Sequence, residues 1–595
     1  MLDTHRVSLA SLDALAEGRS DPAVVEQLKL ANRSRHLILL RAVLDRATAE
    51  SVASAPLPPP AEAWTLLAAA QQRDAAAADV VLDHPQTGLW AANLLRRLGS
   101  DDPGDPPLWA DLGGLHLLAT AAAIRAGLHF RSRVPVWRGA VMLPTLGRAD
   151  VQGRREWDFA HVHGQHGHVL VRGPAGSVRL PADRAADGAG WQALRTLHAG
   201  NFRLWLDDLD PSREFGAPLA PRRLPAAETA RWAEALSATW DLLARHHSTT
   251  AAELAAGLTT LVPRDPADPH TPSSASHNDA FGSVVLSRPP DATTFAATLV
   301  HEFQHSKLGI LLTLVDLLDP LGDNETPRLY APWRDDPRPP TGLLHGVFSF
   351  LGVTAFYREH LGAETGLAAR AAQFEFAYRR EQTAHAVATL LAEVTPSALG
   401  RRFLIAAGDR LRTWAGDPVP ADVLAAARRA NLDHRLSWRL RHLTPPAAVT
   451  GELAEAWLRH RRKPVTTPPA PLLTPTPGAS PRPRLPLARI WLTEPELFDL
   501  YRCEPELATA EIPGTTEADL ALVDGDLGAA AALYRQEVLI RPEALGAWAG
   551  LALTAGDATL LGLPELVFAV HREIRLRTGT VTDPVRLARW LARES

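Results

Sequence analysis

Along this chain the spacing of apolar positions changes character several times. Over residues 28–47 (LKLANRSRHLILLRAVLDRA) apolar side chains recur three and four apart, which predicts an amphipathic helix. Similar spacing makes residues 1–133 a mostly helical region, with an Ala- and Pro-rich connector near 54–61. Between 134 and 180 the pattern shortens. Alternating or β-branched runs at 136–143 and 168–180 are set apart by turns containing Gly164 and Gly173. Residues 202–206 read as a strand ending in the acidic turn Asp207-Asp208-Leu209-Asp210-Pro211. Helical spacing returns over 226–261, and residues 277–287 read as a turn entering a strand. A long helix follows over 291–318, with Asp291, Thr293 or Thr294 as its N-cap. Further helices are expected over 343–362, 364–396 and 420–460.

Residues 463–486 are mostly Pro, Thr, Ala and Leu with no acid, so they read as a semi-extended linker. Beyond it, residues 517–555 resemble a tetratricopeptide-type helical hairpin, through Gly525-Asp526, Tyr534, Pro542 and Ala547-Trp548. The expectation is a predominantly α-helical α+β fold. Its parts would be an N-terminal helical region (1–133), a small β-containing region (134–230), a metal-binding catalytic region (231–462), the linker (463–487) and a C-terminal helical module (488–595).

Composition narrows the function classes. A net charge of -5 gives no electrostatic case for nucleic acid or an anionic membrane. The single cysteine, Cys503, excludes a Cys-based zinc site or a self-contained iron–sulfur cluster. No apolar run reaches the roughly 18 residues of a membrane span, and the first residues lack a signal-peptide core, so a cytoplasmic protein is expected.

The chemistry concentrates in His301-Glu302-Phe303-Gln304-His305. Histidines at i and i+4 lie about 40° apart on a helical wheel, one turn above each other, so both imidazoles converge on one ion. Glu302 stands at the margin of that face, within reach of the metal or its water. Lys307 lies on the far side, at roughly 240°. A metzincin pattern fails, because Leu308 and Leu311 stand where its Gly and His belong. The third ligand is either Glu325, which has thermolysin-like spacing but sits in a loop-like run, or His345, on an apolar helix face. The run His161, His163, His166 and His168 reads as a solvated turn between strands.

The run Thr298-Leu299-Val300-His301-Glu302-Phe303-Gln304-His305-Ser306-Lys307-Leu308, with Leu344-His345-Gly346, Phe281-Gly282 and the acidic turn after Leu206, resembles a bacterial family. These are the HExxH-motif peptide-modification proteins of ribosomal peptide natural product (RiPP) pathways, and the likeness covers roughly residues 130–450. The resemblance implies an iron(II)- and 2-oxoglutarate-dependent peptide β-hydroxylase. His301, His305 and His345 would hold iron, and Glu302 would be a further ligand or a group that orients one. Arg334 and Arg338 are the candidates for the distal carboxylate of 2-oxoglutarate; the competing reading pairs them with Asp335 and Asp336 in an exposed loop. The precursor peptide is the expected partner, with biosynthetic proteins recruited by the C-terminal module. Two other readings stay open. One is a zinc metallopeptidase with Glu302 as general base, the other a non-catalytic peptide-binding scaffold.

Overall fold

In a computed structural model these periodicities resolve into helices and small sheets, a predominantly helical α+β fold. The structure describes residues 5–19, 21–47, 56–100, 106–266, 273–319, 327–462, 471–474, 476 and 481–592. The chain divides into two compact units. One comprises Met1–Leu15 and Arg19–Val315, the other Ala16–Gly18 and Asp316–Ser595. The division falls inside the stretch 231–462, between the helix of His301 and that of His345.

The first unit opens with helices Pro22–Arg46, Pro60–Arg73, Ala75–Leu82, Pro85–Leu98 and Gly114–Arg125. An antiparallel sheet follows, built from β1 (Phe130–Trp137), β2 (Ala140–Leu143), β3 (Gly147–Asp150), β4 (Trp157–Gln165), β5 (His168–Arg172), β6 (Ser177–Arg179) and β7 (Trp191–Ala193). Their spatial order is β6-β5-β4-β1-β2-β3-β7. In β4 buried Ala160 and Val162 alternate with exposed His161 and His163, the period-2 pattern of a half-buried strand. The histidine tract is thus a hairpin: Gly164 lies inside β4, and the turn falls at His166 and Gly167, both at positive φ.

A second sheet carries the motif helix. Its order is β11 (Ser274–Ala275), β12 (Ser283–Leu286), β10 (Thr260–Pro263), β9 (Phe202–Leu206) and β8 (Arg195–Ala199). Strands β9, β10 and β12 run parallel, while β8 and β11 pair antiparallel at the edges. All four residues of β10 and of β12 are buried, as in parallel strands covered on both faces. Helices Ala226–His246 and Ser248–Gly257 form the crossover from β9 to β10. The helical run expected over 226–261 therefore ends at Gly257, where the β-branched pair Thr259-Thr260 turns the chain into strand.

The second unit is mainly helical. Pro340–His360, Gly366–Glu393, Ala398–Trp414 and Ala421–His442 are its long elements. Pro445 and Pro446 interrupt the helix expected over 420–460, which resumes as Ala447–Leu458. Of the expected linker, residues 463–470, 475 and 477–480 lie outside the described residues. Leu472–Leu473 pairs with Leu443–Thr444, and a helix starts at Arg484. The C-terminal hairpin is present. Gly525 takes the left-handed cap (φ 98), Asp526 caps Leu527–Ile540, and the Trp548 indole donates to the Pro542 carbonyl at 2.9 Å. Among the described residues, no helix is long and apolar enough to cross a membrane.

Candidate metal centre

The motif helix spans Ala292–Leu311. Asp291 caps it, accepting from the Thr294 N–H at 2.8 Å, so the expected start holds. It stops at Leu311, earlier than the periodicity suggests. Leu312 caps it in helical geometry, and residues 312–314 continue as hydrogen-bonded turns. Phe295, Leu299, Phe303 and Leu308 bury its core face. Close approach fixes the helix: a Cβ on Gly257 would meet the Phe303 ring at 2.4 Å. Gly282 is at φ +82, and a Cβ there would sit 2.4 Å from the Gly257 carbonyl, which brings β12 and the end of the crossover together.

On this helix the two imidazoles converge. The Nε2 atoms of His301 and His305 are 3.2 Å apart, with the rings nearly perpendicular at 84° and both side chains half-buried. Two ligand nitrogens each about 2.1 Å from one ion, at an angle of about 90–109°, stand about 3.0–3.4 Å apart. The observed spacing fits a shared ion.

Glu302 is 3% exposed and turned to the edge of the sheet. Its Oε1 accepts from the Ser274 hydroxyl and its Oε2 from the Ser276 hydroxyl, each at 2.6 Å. Burial pushes its pKa up, and the two hydroxyl bonds oppose that shift. Ser274 and Ser276, alternate residues at strand β11, were not visible as partners from sequence. Their only signal is the spacing of two in a Ser-Ala-Ser run. Next to them, the His277 ring lies 5.5 Å from that of Phe215.

Lys307 lies off the histidine face, as its wheel position predicts. Only 2% exposed, it pairs with Glu253 at 2.7 Å and sits 5.5 Å from the Phe303 ring centre. The acidic turn is buried as well. Asp207 accepts from the N–H groups of Leu209 and Asp210, while Asp208 pairs with Arg223 at 3.2 Å. Burial, and then the charge of Asp207, push Asp210 up to about 7.

The remaining candidates belong to the second unit. His345 sits on Pro340–His360, half-buried, its pKa lowered by burial. Arg334 and Arg338 both bond Asp336, at 2.8 and 3.1 Å, which holds that carboxyl below its ordinary value despite partial burial. Asp335 pairs with Arg482 at 2.6 Å. Glu325 lies outside the described residues. Among the described residues no group of three or more His, Cys, Asp or Glu is gathered as an ion site. The histidine pair supplies two donors, and a complete centre needs at least one more. No protein-family model matches this chain, and no curated protein matches it.

Proposed function

We propose that this chain is an iron(II)- and 2-oxoglutarate-dependent hydroxylase of the cytoplasm, acting on the Cβ of a residue in a ribosomally made precursor peptide. His301 and His305 hold the metal, and His345 completes a three-histidine set. Arg334 or Arg338 meets the distal carboxylate of 2-oxoglutarate, exchanging Asp336 for it. The C-terminal helical module serves biosynthetic partner proteins. The family resemblance of the sequence underlies this reading.

The observation that supports it best is the division of labour within the motif. The two imidazole nitrogens stand 3.2 Å apart, while both oxygens of the intervening Glu302 are engaged by serine hydroxyls. A general base must be free to take a proton from water. A carboxylate tied to a neighbouring strand instead suits a positioning role, fixing the helix and hence the rings. Three protein ligands leave room on octahedral iron for a bidentate keto acid and dioxygen, and the bound iron would supply the oxidising chemistry. The chain's own contribution is to orient the imidazoles on a capped, buried helix and to keep its apolar flanks dry.

Glu302→Gln separates this reading from a zinc peptidase. We expect the iron-loaded variant to keep 2-oxoglutarate turnover within about tenfold of the parent, since Gln preserves the shape and part of the hydrogen bonding. Zinc-dependent peptide cleavage by the parent, abolished in Glu302→Gln, would replace the hydroxylase reading.

A further inference from the structure

The outer face of the antiparallel sheet carries a cluster of cations that the metal chemistry does not use. Register fixes which residues share that face, because side chains opposite one another in adjacent strands point to the same side. One row across β6, β5, β4 and β1 reads Arg179, Leu170, His163 and Arg131. The next reads Ser177, Arg172, His161 and Arg133. Between the rows Val178, Val171 and Val162 point the other way, into the core. Arg131, His161, His163, Arg172 and Arg179 are exposed, and Arg133 is half-buried. Asp158 is the one acid in these four strands, and it is registered opposite buried Val136, on the core side.

These charges are not cancelled within the chain. Other arginines of this unit meet carboxylates, as Arg33 meets Asp79 and Arg97 meets Asp111. Arg131, Arg172 and Arg179 have neither an ion pair nor a hydrogen bond among the described residues. Arg133 donates to the Pro56 carbonyl and lies 5.1 Å from the Phe159 ring centre, and neither contact removes its charge. Like charges set opposite one another weaken a sheet. The strain shows at His161, whose pKa is lowered by partial burial and then by Arg133, His163 and Arg172. An anion laid on this face relieves that repulsion.

Two features select the kind of anion. Arg131 and Arg133 stand two residues apart on β1, about 7 Å along the strand, which is also the repeat of alternate side chains in an extended polypeptide. Single-stranded nucleic acid needs open aromatic faces on which its bases stack. Here the Phe159 ring lies under Arg133, and the Trp137 ring lies under Arg138 at 5.0 Å. We propose that this face binds an acidic polypeptide segment, whose carboxylates meet Arg131 and Arg133 on β1 and Arg172 on β5. Guanidinium groups suit carboxylates, which they bind through two parallel hydrogen bonds. The identity of the occupant rests on the reading of the chain as a peptide-modifying enzyme, and the proposal adds where that enzyme holds an acidic part of its peptide.

The test uses the full chain and a fluorescein-labelled peptide of four Glu-Ser repeats, followed by fluorescence anisotropy at low salt. Saturable binding is expected, weakened about tenfold by Arg131→Gln combined with Arg172→Gln. Gln in place of Glu in the probe should abolish it. The same charge removed elsewhere, by Arg401→Gln with Arg402→Gln, should leave binding within about twofold of the parent. Thermal unfolding of both double variants should match the parent, since all four side chains are exposed. His301→Ala should bind the probe as the parent does, so loss of the iron chemistry with retained binding would sink the hydroxylase and leave this face standing. No saturable binding, or equal weakening by the two double variants, would overturn the proposal. So would tighter binding of an oligothymidylate of the same charge, which would assign the face to nucleic acid.

Discussion

Glu302 and Asp210 show how far a side chain's role depends on partners that the sequence does not reveal. His301 and His305 were legible because a helix places i and i+4 together whatever the rest of the chain does. Glu302 was not, since Ser274 and Ser276 come to it by strand β11 pairing with β12. Arg334 and Arg338 had two sequence readings, and each now has Asp336 as a partner. Asp210 offers a measurable consequence. Its folded pKa, about 7, lies above the ordinary 3.8, so the fold favours its protonated form. The stability it contributes is complete below the ordinary carboxylate range and lost as pH rises through about 7. Asp210→Asn, whose amide oxygen preserves the bond from the Ser212 N–H, should flatten that loss. Denaturant unfolding should show parent stability falling relative to the variant, on the order of 1–3 kcal/mol between about pH 4 and pH 8. A constant difference across that range would contradict it.

At the scale of elements, long periodic helices were readable and their ends less so. The motif helix begins at its expected cap, yet the helix Ala398–Trp414 went unmarked between two others. Its apolar positions are diluted by four arginines, Arg401, Arg402, Arg410 and Arg412, and it packs by a narrow stripe of Phe403, Leu404, Ala407 and Leu411. The strand β10 was absorbed into a helical run, since a short apolar stretch carries no period of its own. What holds the motif helix to its neighbour is the buried pair Lys307–Glu253, which links it to helix Ser248–Gly257. Removing one partner strands a charge in the core. Lys307→Met should cost about 3–5 kcal/mol in denaturant unfolding, and Lys307→Met with Glu253→Leu should recover most of it. A single variant as stable as the parent would show that the pair is not buried in solution.

Across the whole chain, the fold class followed from periodicity, while the division into two units did not. Its boundary at Val315 and Asp316 carries no composition shift, whereas the Pro-rich run at 463–486 does. Long-range polar contacts explain why such a run does not end a unit. Arg484, near the end of that run and 8% exposed, bonds Asp433 on one side and Asp519 (2.7 Å), Tyr534 and the Gly546 carbonyl on the other. The helical module is thereby fastened to the long helix Ala421–His442. Those partners are 35 to 62 residues away in sequence, beyond any local pattern. In the other unit, the proposed iron site at His301 and His305 would have to admit 2-oxoglutarate. Anaerobic titration of the protein with iron(II) and 2-oxoglutarate tests it, read by the visible charge-transfer band that forms when the keto acid chelates protein-bound iron. The parent should develop a saturable band at one iron per chain, and His301→Ala should not. Tight zinc binding with no band in the parent, or an undiminished band in His301→Ala, would contradict it.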